Sequence, residues 1–269
     1  MGYFTIKRYN EQLYQIKDKL GVLSTLVIGN DKALLFDTGY GICSLKEEVK
    51  KLTDKELIVI NSHGHMDHAC GNYEFDEVYI SKKDIAVAKK YNSIKWRINN
   101  ILRAEAMNAL PDNFDKEKYI NQNEGNLKII NEHDIIDLGN LDIEVINMEG
   151  HTEGSIGLYI HKWRLLLASD AACPFVWLFL NESTTVKIYI KMLERVLKLD
   201  FDNFLVGHGM MMLPKQRMYE FLDVAKNIDL SKSVKVTFDQ FEELNSYCYT
   251  NGTMYDQNDS GIVFDPNKM

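Results

Sequence analysis

Cysteine and histidine are scarce in this chain, positive charge is in deficit, and long apolar runs are missing. Of 269 residues, four are Cys and seven are His. The cysteines, Cys43, Cys70, Cys173 and Cys248, form no CxxC pair. They read as reduced thiols with no disulfide framework. No stretch approaches the roughly 18 apolar residues of a membrane-spanning helix. The most apolar run, AACPFVWLFL at 171–180, is ten residues long and contains Pro174. The opening MGYFTIKRYNEQ lacks the basic start and apolar middle of a signal peptide, so cytoplasmic residence is the expectation. Lys and Arg number 31 against 39 Asp and Glu, a net charge of −8. A field of that sign repels a polyphosphate backbone, which disfavours nucleic acid as a partner. There is no internal repeat, low-complexity tract or linker, so a single domain over 1–269 is expected, with no membrane partner.

What is present is a β-rich pattern. LSTLVIG and KALLFDTG are strand-like runs separated by Asn30 and Asp31, a turn signal. A helix is expected near 44–52, then strands at 56–61, 77–81, 127–130, 135–138, 141–147, 156–160, 164–169 and 204–207. Residues 84–123 differ: Ile85, Ala88, Ile94, Ile98, Ile101, Leu102 and Met107 fall at helical spacing. The segment reads as a helical insertion, either a lid over a site or a dimer interface. Ser183 is the expected N-cap of a helix over TTVKIYIKMLERVLKL, and Pro214 is expected to open another. Near the end, two strands are expected to pair around Asn251-Gly252.

The histidines are unevenly placed. NSHGHMDHACG at 61–71 holds three of them and an aspartate, His63, His65, Asp67 and His68. Elsewhere, apolar strands end in the same residue types: Asp37 after LLF, His151 after IEVINM, Asp170 after LLLAS, His208 after FLV. If these strands run the same way, their polar ends meet at one sheet edge. Crowded imidazoles and carboxylates need compensation, and a metal supplies it. His63 and His65, two apart, share a face of extended chain, and Asp67 and His68 follow in a tight loop. His133 and His161 read as exposed turn residues.

These stretches resemble a known family. FDTG (36–39), HGHMDH (63–68), GHTEGS (150–155), SD (169–170) and GHG (207–209) are similar, in order, to the five motifs of the metallo-β-lactamase superfamily. The resemblance implies an α/β fold, the four-layer αββα sandwich, with a two-metal site at one end. It implies that His63, His65 and His151 hold one ion, that Asp67, His68 and His208 hold the second, and that Asp170 bridges them. Asp37 would orient ligands rather than bind. Zinc is the expected metal, with iron and manganese also suited to His and carboxylate donors. Ser62 stands where the family often has Thr, Cys70-Gly71 where Gly-Gly is common, and Glu153 where Pro is frequent; none is a ligand.

The implied chemistry is hydrolysis by a metal-bridging hydroxide, with Asp67 steering the nucleophile and its proton. A His at position 65 argues against the family's oxygen reductases, where Glu is found. Asp170, where many β-lactamases carry Cys, argues against antibiotic hydrolysis. Met66 within HxHxDH and the acidic charge argue against the RNA-processing branch. The pattern is nearest the glyoxalase II and acyl-homoserine lactonase type, so the expected substrate is a small ester, lactone or thioester. The alternatives are a phosphodiesterase on the same site, with Lys215 and Arg217 as anion holders, and a non-catalytic metal-binding protein. Phe175, Trp177 and Phe179, just after Asp170, are expected to line the substrate pocket. Cys173 reads as a small core residue, and a homodimer through 84–123 remains open.

Overall fold

A computed structural model describes residues 2–256 and 258–269. The chain divides into two units: the first runs to Val145 and takes in Gly207–Met210, and the second comprises Ile146–Val206 and Met211–Met269.

The first unit is built on a seven-stranded sheet whose spatial order is its chain order. Its strands are β1 (Thr5–Arg8), β2 (Leu13–Lys17), β3 (Leu23–Ile28), β4 (Lys32–Phe36), β5 (Glu56–Ile60), β6 (Val78–Ser81) and β7 (Leu127–Ile130). The first four form an antiparallel meander, and β4 to β7 run parallel. The parallel pairs need crossovers. One is α1 (Leu45–Lys50), capped by Ser44, whose Leu45 and Val49 pack with Leu26, Leu35 and Val59. Another contains α2 (Met66–Ala69). The longest carries α3 (Ile85–Tyr91), α4 (Ile94–Ala106) and α5 (Lys116–Ile120). A hairpin of β8 (Ile135–Asp137) and β9 (Asp142–Asn147) follows, and within β9 the chain leaves this unit.

The helical insertion does not bury its aliphatic stripe. In α4 the buried residues are Trp96, Arg97, Asn100, Ile101 and Ala104. Arg97 Nη2 donates to the carbonyls of Cys70 and Asn123 and to Asn92 Oδ1, with its guanidinium against the rings of Tyr73 and Tyr119. Asn100 donates to Tyr119 Oη, which donates in turn to the carbonyl of Tyr40. These bonds offset part of the cost of burying a charged and an amide side chain, since Arg97 Nε and Nη1 and Asn100 Oδ1 find no hydrogen-bond partner among the described residues. The bonds turn Ile94, Ile98 and Leu102 outward. The helix also stops at Ala106, ahead of Pro111, where Asn108 takes a left-handed conformation.

In the second unit, β10 (Ile156–Ile160), β11 (Leu165–Ser169), β12 (Phe175–Leu178), β13 (Asn203–Val206), β14 (Met212–Pro214), β15 (Val234–Val236), β16 (Ser246–Thr250) and β17 (Gly261–Phe264) fall in two groups. One runs in the order β14, β13, β11, β10 and the other β12, β17, β16, β15. Helix α6 (Val186–Val196) buries Val186, Tyr189, Met192, Leu193 and Val196, one face at helical spacing. With α7 (Gln216–Lys226) it packs against Leu166, Phe204, Leu178 and Phe264 in one apolar cluster.

Three expectations are corrected here. The cap of α6 is Thr185, whose hydroxyl accepts from Ile188 N; Ser183 Oγ donates instead to the carbonyl of His151. Pro214 closes β14, and α7 starts at Gln216. Near the end of the chain, β16 and β17 do pair, but from Thr250 opposite Gly261, so a longer loop replaces the two-residue turn.

Candidate metal centre

In the first unit the site is assembled at the C-terminal ends of β4 and β5. Their parallel register puts Phe36 opposite Ile60, so the next residues, Asp37 and Asn61, leave the sheet together. Asp37 turns sharply, with φ 70°, in the left-handed region that Asp tolerates better than most residues. Its carboxylate then collects the next loop. Oδ1 accepts Ser62 N–H at 2.7 Å, and Oδ2 accepts Ser62 Oγ–H at 2.8 Å and lies 2.9 Å from His68 Nδ1. Ser62 Oγ lies 2.9 Å from His63 Nδ1.

This network sets tautomers. Ser62 Oγ gives its proton to Asp37, so it accepts from His63 Nδ1–H. A carboxylate acceptor requires His68 Nδ1–H as well. Each ring is therefore left with its lone pair on Nε2, the form a metal takes. The carbonyl of His68 is held by Thr38 N–H at 2.9 Å and Asn61 Nδ2–H at 2.9 Å, with the Thr38 hydroxyl 3.0 Å away but closer, at 2.7 Å, to Asn72 Oδ1.

The histidines stand close. Ring centroids are 4.6 Å apart for His63 and His65, 4.3 Å for His63 and His68, and 5.5 Å for His68 and His208. Asp67 Oδ2 lies 3.3 Å from His208 Nε2 and 3.6 Å from His68 Nε2. His208 reaches this place because Gly207 and His208 pair with the start of β3: Leu23 N–H donates to Gly207 O, and Val22 bridges to His208. His63, His65 and His68 are buried and His208 is exposed.

Two residues that sequence reading missed shape this loop. Gly64, between His63 and His65, donates its N–H to Oδ2 of the fully buried Asp84 at 2.7 Å. A Cβ on Gly64 would fall 2.5 Å from Ala88 N. Asp18, also buried, accepts the N–H groups of Leu20, Gly21 and Val22 on one oxygen. Burial pushes its carboxyl up to about 6; those three N–H bonds oppose the rise, and the charge of Asp67 adds to it. Asp84 lies 20 residues from Gly64 in sequence and carried no signal. Asp18 sits in an ordinary KDKLG turn. Tyr91, at the end of α3, is fully buried, with its ring 4.9 Å from that of His65.

In the second unit, His151 and Asp170 come together, with Nε2 3.9 Å from Oδ2. His151 Nδ1 lies 2.9 Å from the carbonyl of Trp177, an acceptor that again leaves the lone pair on Nε2. Gly150 lets the loop pass under Tyr189, since a Cβ there would lie 2.6 Å from Tyr189 Cδ2. Ser169, with φ 47°, ends β11 as Asp37 follows β4 and delivers Asp170.

Beside His151, Phe175, Trp177 and Phe179 alternate along β12 and just past it. Trp177 is half-buried, with its ring 5.2 Å from Phe179 and 4.3 Å from Phe238; Phe179 stacks on Phe238 at 5.1 Å, and Phe241 edges both. Phe238 and Phe241 lie some 60 residues on and were not foreseen. Phe175 stands apart, against Tyr255. Cys173 lies near Asp170, its Sγ 3.7 Å from Asp170 O, and burial, then the Asp170 charge, pushes its thiol well up.

Lys215 and Arg217 are taken up by their own unit. Lys215 donates to Leu199 O and lies over Phe201; Arg217 donates to the carbonyls of Asn258 and Asp259 and pairs with Glu220. His133 is exposed and pairs with Glu144, and His161 sits in an exposed turn.

Strand-end aspartates, the HxHxDH loop and imidazoles held at Nδ1 point to a class, and the sequence profile of the metallo-β-lactamase superfamily matches residues 18–208. The chain belongs to that superfamily. Among curated proteins it is 24% identical to an acyl-coenzyme A thioesterase, MBLAC2, of Homo sapiens over 204 residues, 70% of this chain and 71% of that one. The Gallus gallus counterpart is 22% identical over 201 residues, 70% of each chain. Solved structures share the fold. A metallo-β-lactamase from Pontibacter korlensis superposes with TM-score 0.57 at 13% identity, covering 84% of this chain and 100% of that one. A double mutant of the sec-alkyl sulfatase PisA1 gives TM-score 0.66 at 15% identity over 83% of this chain, which spans only 42% of the sulfatase's length.

Proposed function

We propose that this protein is a metal-dependent hydrolase that cleaves the thioester of a small acyl thioester, acyl-coenzyme A being the first candidate. The observation that carries the metal-dependent part is that Nδ1 of His63, His68 and His151 each lies 2.9 Å from an oxygen, an arrangement that leaves Nε2 to coordinate. Imidazole and carboxylate donors suit zinc, and also iron or manganese. Following the family's motif order, His63, His65 and His151 serve one ion and Asp67, His68 and His208 a second, with Asp170 shared. The relatives named acyl-coenzyme A thioesterase, matched over 70% of the chain, select the thioester among carbonyl substrates.

Bound divalent ions supply a nucleophile from water at neutral pH and an electrophile for the thioester carbonyl. Asp67 orients the attacking water and accepts its proton, a role that suits a carboxylate 3.3 Å and 3.6 Å from two histidine nitrogens. Oxygen bonds to the acyl carbon, the C–S bond breaks, and the thiol leaves with a proton. Asp37 and Ser62 keep His63 and His68 from turning, and the Trp177 carbonyl does the same for His151. Phe179, Trp177 and Phe238 offer the acyl group an apolar wall, from which Phe175 stands apart.

The test is a hydrolysis panel on protein purified with its own metal, beside a chelated control. It holds acyl-coenzyme A substrates of several lengths, a glutathione thioester, an acyl lactone, an aryl ester and an aryl phosphodiester. Chelator-sensitive turnover led by the coenzyme A thioesters is expected. Asp67→Asn should lower kcat roughly 10²- to 10⁴-fold. Turnover of the phosphodiester alone, or turnover that survives chelation, would overturn the reading.

A further inference from the structure

Helix α4 carries an outward stripe that, among the described residues, nothing in its own unit covers. Ile94, Ile98 and Leu102 are 58%, 41% and 57% exposed and follow one another at four-residue spacing, one above the next on a single face. The face is fixed, because Arg97 and Asn100 hold the opposite side of the helix in the interior. Single exposed aliphatics are ordinary, but three in a row on one helix mark a contact surface.

The charges around the stripe say what it contacts. Lys82, Lys83, Lys89, Lys90, Lys95 and Arg103 are all exposed. Two acids lie between residue 82 and the end of α4 at Ala106: Asp84, which is buried, and Glu105, which is exposed and pairs with Lys116. The segment 82–106 thus carries seven cations against two acids in a chain of net −8, and the remaining residues hold a net −13. A two-fold contact between copies through this face would set twelve exposed cations against each other, which argues against a dimer there. A convex aliphatic ridge set among cations, on an otherwise acidic protein, matches a layer with anionic heads over an apolar interior.

We propose that α3 and α4 form a docking face for anionic phospholipid bilayers, with Ile94, Ile98 and Leu102 entering below the headgroups and the lysines and Arg103 meeting the phosphates. The proposal goes beyond the hydrolase reading and does not need it. The ring of Tyr91, at the end of α3, lies 4.9 Å from that of His65, so docking would bring the histidine loop near the surface. On the thioesterase reading, that is where long-chain acyl thioesters accumulate.

The experiment is co-sedimentation of the full chain with vesicles of phosphatidylcholine alone and of phosphatidylcholine with about one third phosphatidylglycerol, at low and high salt. Two variants accompany it: I98E with L102E, and K89Q with K90Q and K95Q. All these side chains are exposed, so the fold and the hydrolysis of a water-soluble thioester should be retained. The expected result is binding to the anionic vesicles at least ~10-fold tighter than to the neutral ones, weakened by salt and lost in both variants. Equal or absent binding to the two vesicle types would overturn the proposal, as would anionic binding that both variants retain. So would a wild-type dimer, seen by light scattering, that the I98E and L102E variant abolishes, since the face would then belong to a second copy.

Discussion

Asp37 Oδ2 and His68 Nδ1 lie 2.9 Å apart, both residues buried, and the same carboxylate holds the Ser62 hydroxyl that orients His63. One side chain therefore sets the tautomer of two imidazoles on a loop 25 to 31 residues further along the chain. Asp37→Ala should leave the sheet intact, lower metal affinity roughly 10- to 100-fold, and cost about 1–3 kcal/mol through the unpaired Ser62 N–H. Competition against a chromophoric chelator measures the first effect and urea unfolding of the metal-free protein the second. Unchanged metal affinity would remove Asp37 from its orienting role.

Gly64 offers a purely steric test. A methyl group there meets the backbone nitrogen of Ala88 at 2.5 Å and the carbonyl of Asp84 at 2.8 Å, neither of which can swing aside as a side chain could. Gly64→Ala should destabilise the metal-free protein by about 1–3 kcal/mol and weaken metal binding, as α3 is pushed off the loop that carries His63 and His65. Asp84→Leu, which removes the acceptor of the Gly64 N–H, should affect metal binding in the same direction. Thermal unfolding with and without added zinc reads both; two variants indistinguishable from wild type would show that the loop is held elsewhere.

The contrast between Asp37 and Asp84 shows what the sequence made legible. Asp37 ends an apolar strand inside FDTG, as Asp170 ends LLLAS, and a strand that stops in a carboxylate is visible one residue at a time. Asp84 sits at the start of an insertion, and its place against Gly64 follows from the packing of α3, which no local pattern encodes. The same holds for Phe238, which meets Trp177 and Phe179 only through the tertiary fold. Periodicity found the helices of 84–123 but not their orientation. Spacing marked Ile94, Ile98, Ile101 and Leu102 together as helical, while hydrogen bonding to Arg97 and Asn100 decided that Ile101 went in and the other three out. Ser183 looked like a cap because Ser is a good one, and Thr185, two residues on, took the position.

Asp18 gives a pH prediction. Burial pushes its carboxyl up to about 6 from an ordinary 3.8, against the pull of the N–H groups of Leu20, Gly21 and Val22. The folded chain thus keeps this proton where the unfolded chain has lost it. Its stabilising contribution is complete below about pH 4 and is lost as pH rises through about 6. Asp18→Asn cannot ionise, and its amide oxygen still accepts the same three bonds. In metal-free protein, the stability of the variant relative to wild type should increase by on the order of 3 kcal/mol between about pH 4 and pH 7.5. Urea unfolding across that range checks it. A difference that does not change with pH would place the Asp18 carboxyl at its ordinary value.

Trp177 has two jobs that a substitution can separate. Its carbonyl holds His151 Nδ1, and its ring lies among Phe179, Phe238 and Phe241. Trp177→Ala keeps the carbonyl and removes the ring, so metal content should stay at the wild-type level. If the ring forms the acyl wall, the loss falls on substrates long enough to reach it. Removing contacts worth about 1.5–3 kcal/mol should raise KM roughly 10- to 100-fold for a long-chain acyl thioester. A two-carbon acyl thioester should be turned over nearly as before. Trp177→Phe should recover most of the loss, since a smaller ring keeps part of the apolar surface. Steady-state kinetics against acyl chain length, with metal content measured on the same preparations, distinguishes the outcomes. A uniform loss at every chain length, with metal intact, would mean that the ring supports the fold around His151 and the acyl chain binds elsewhere.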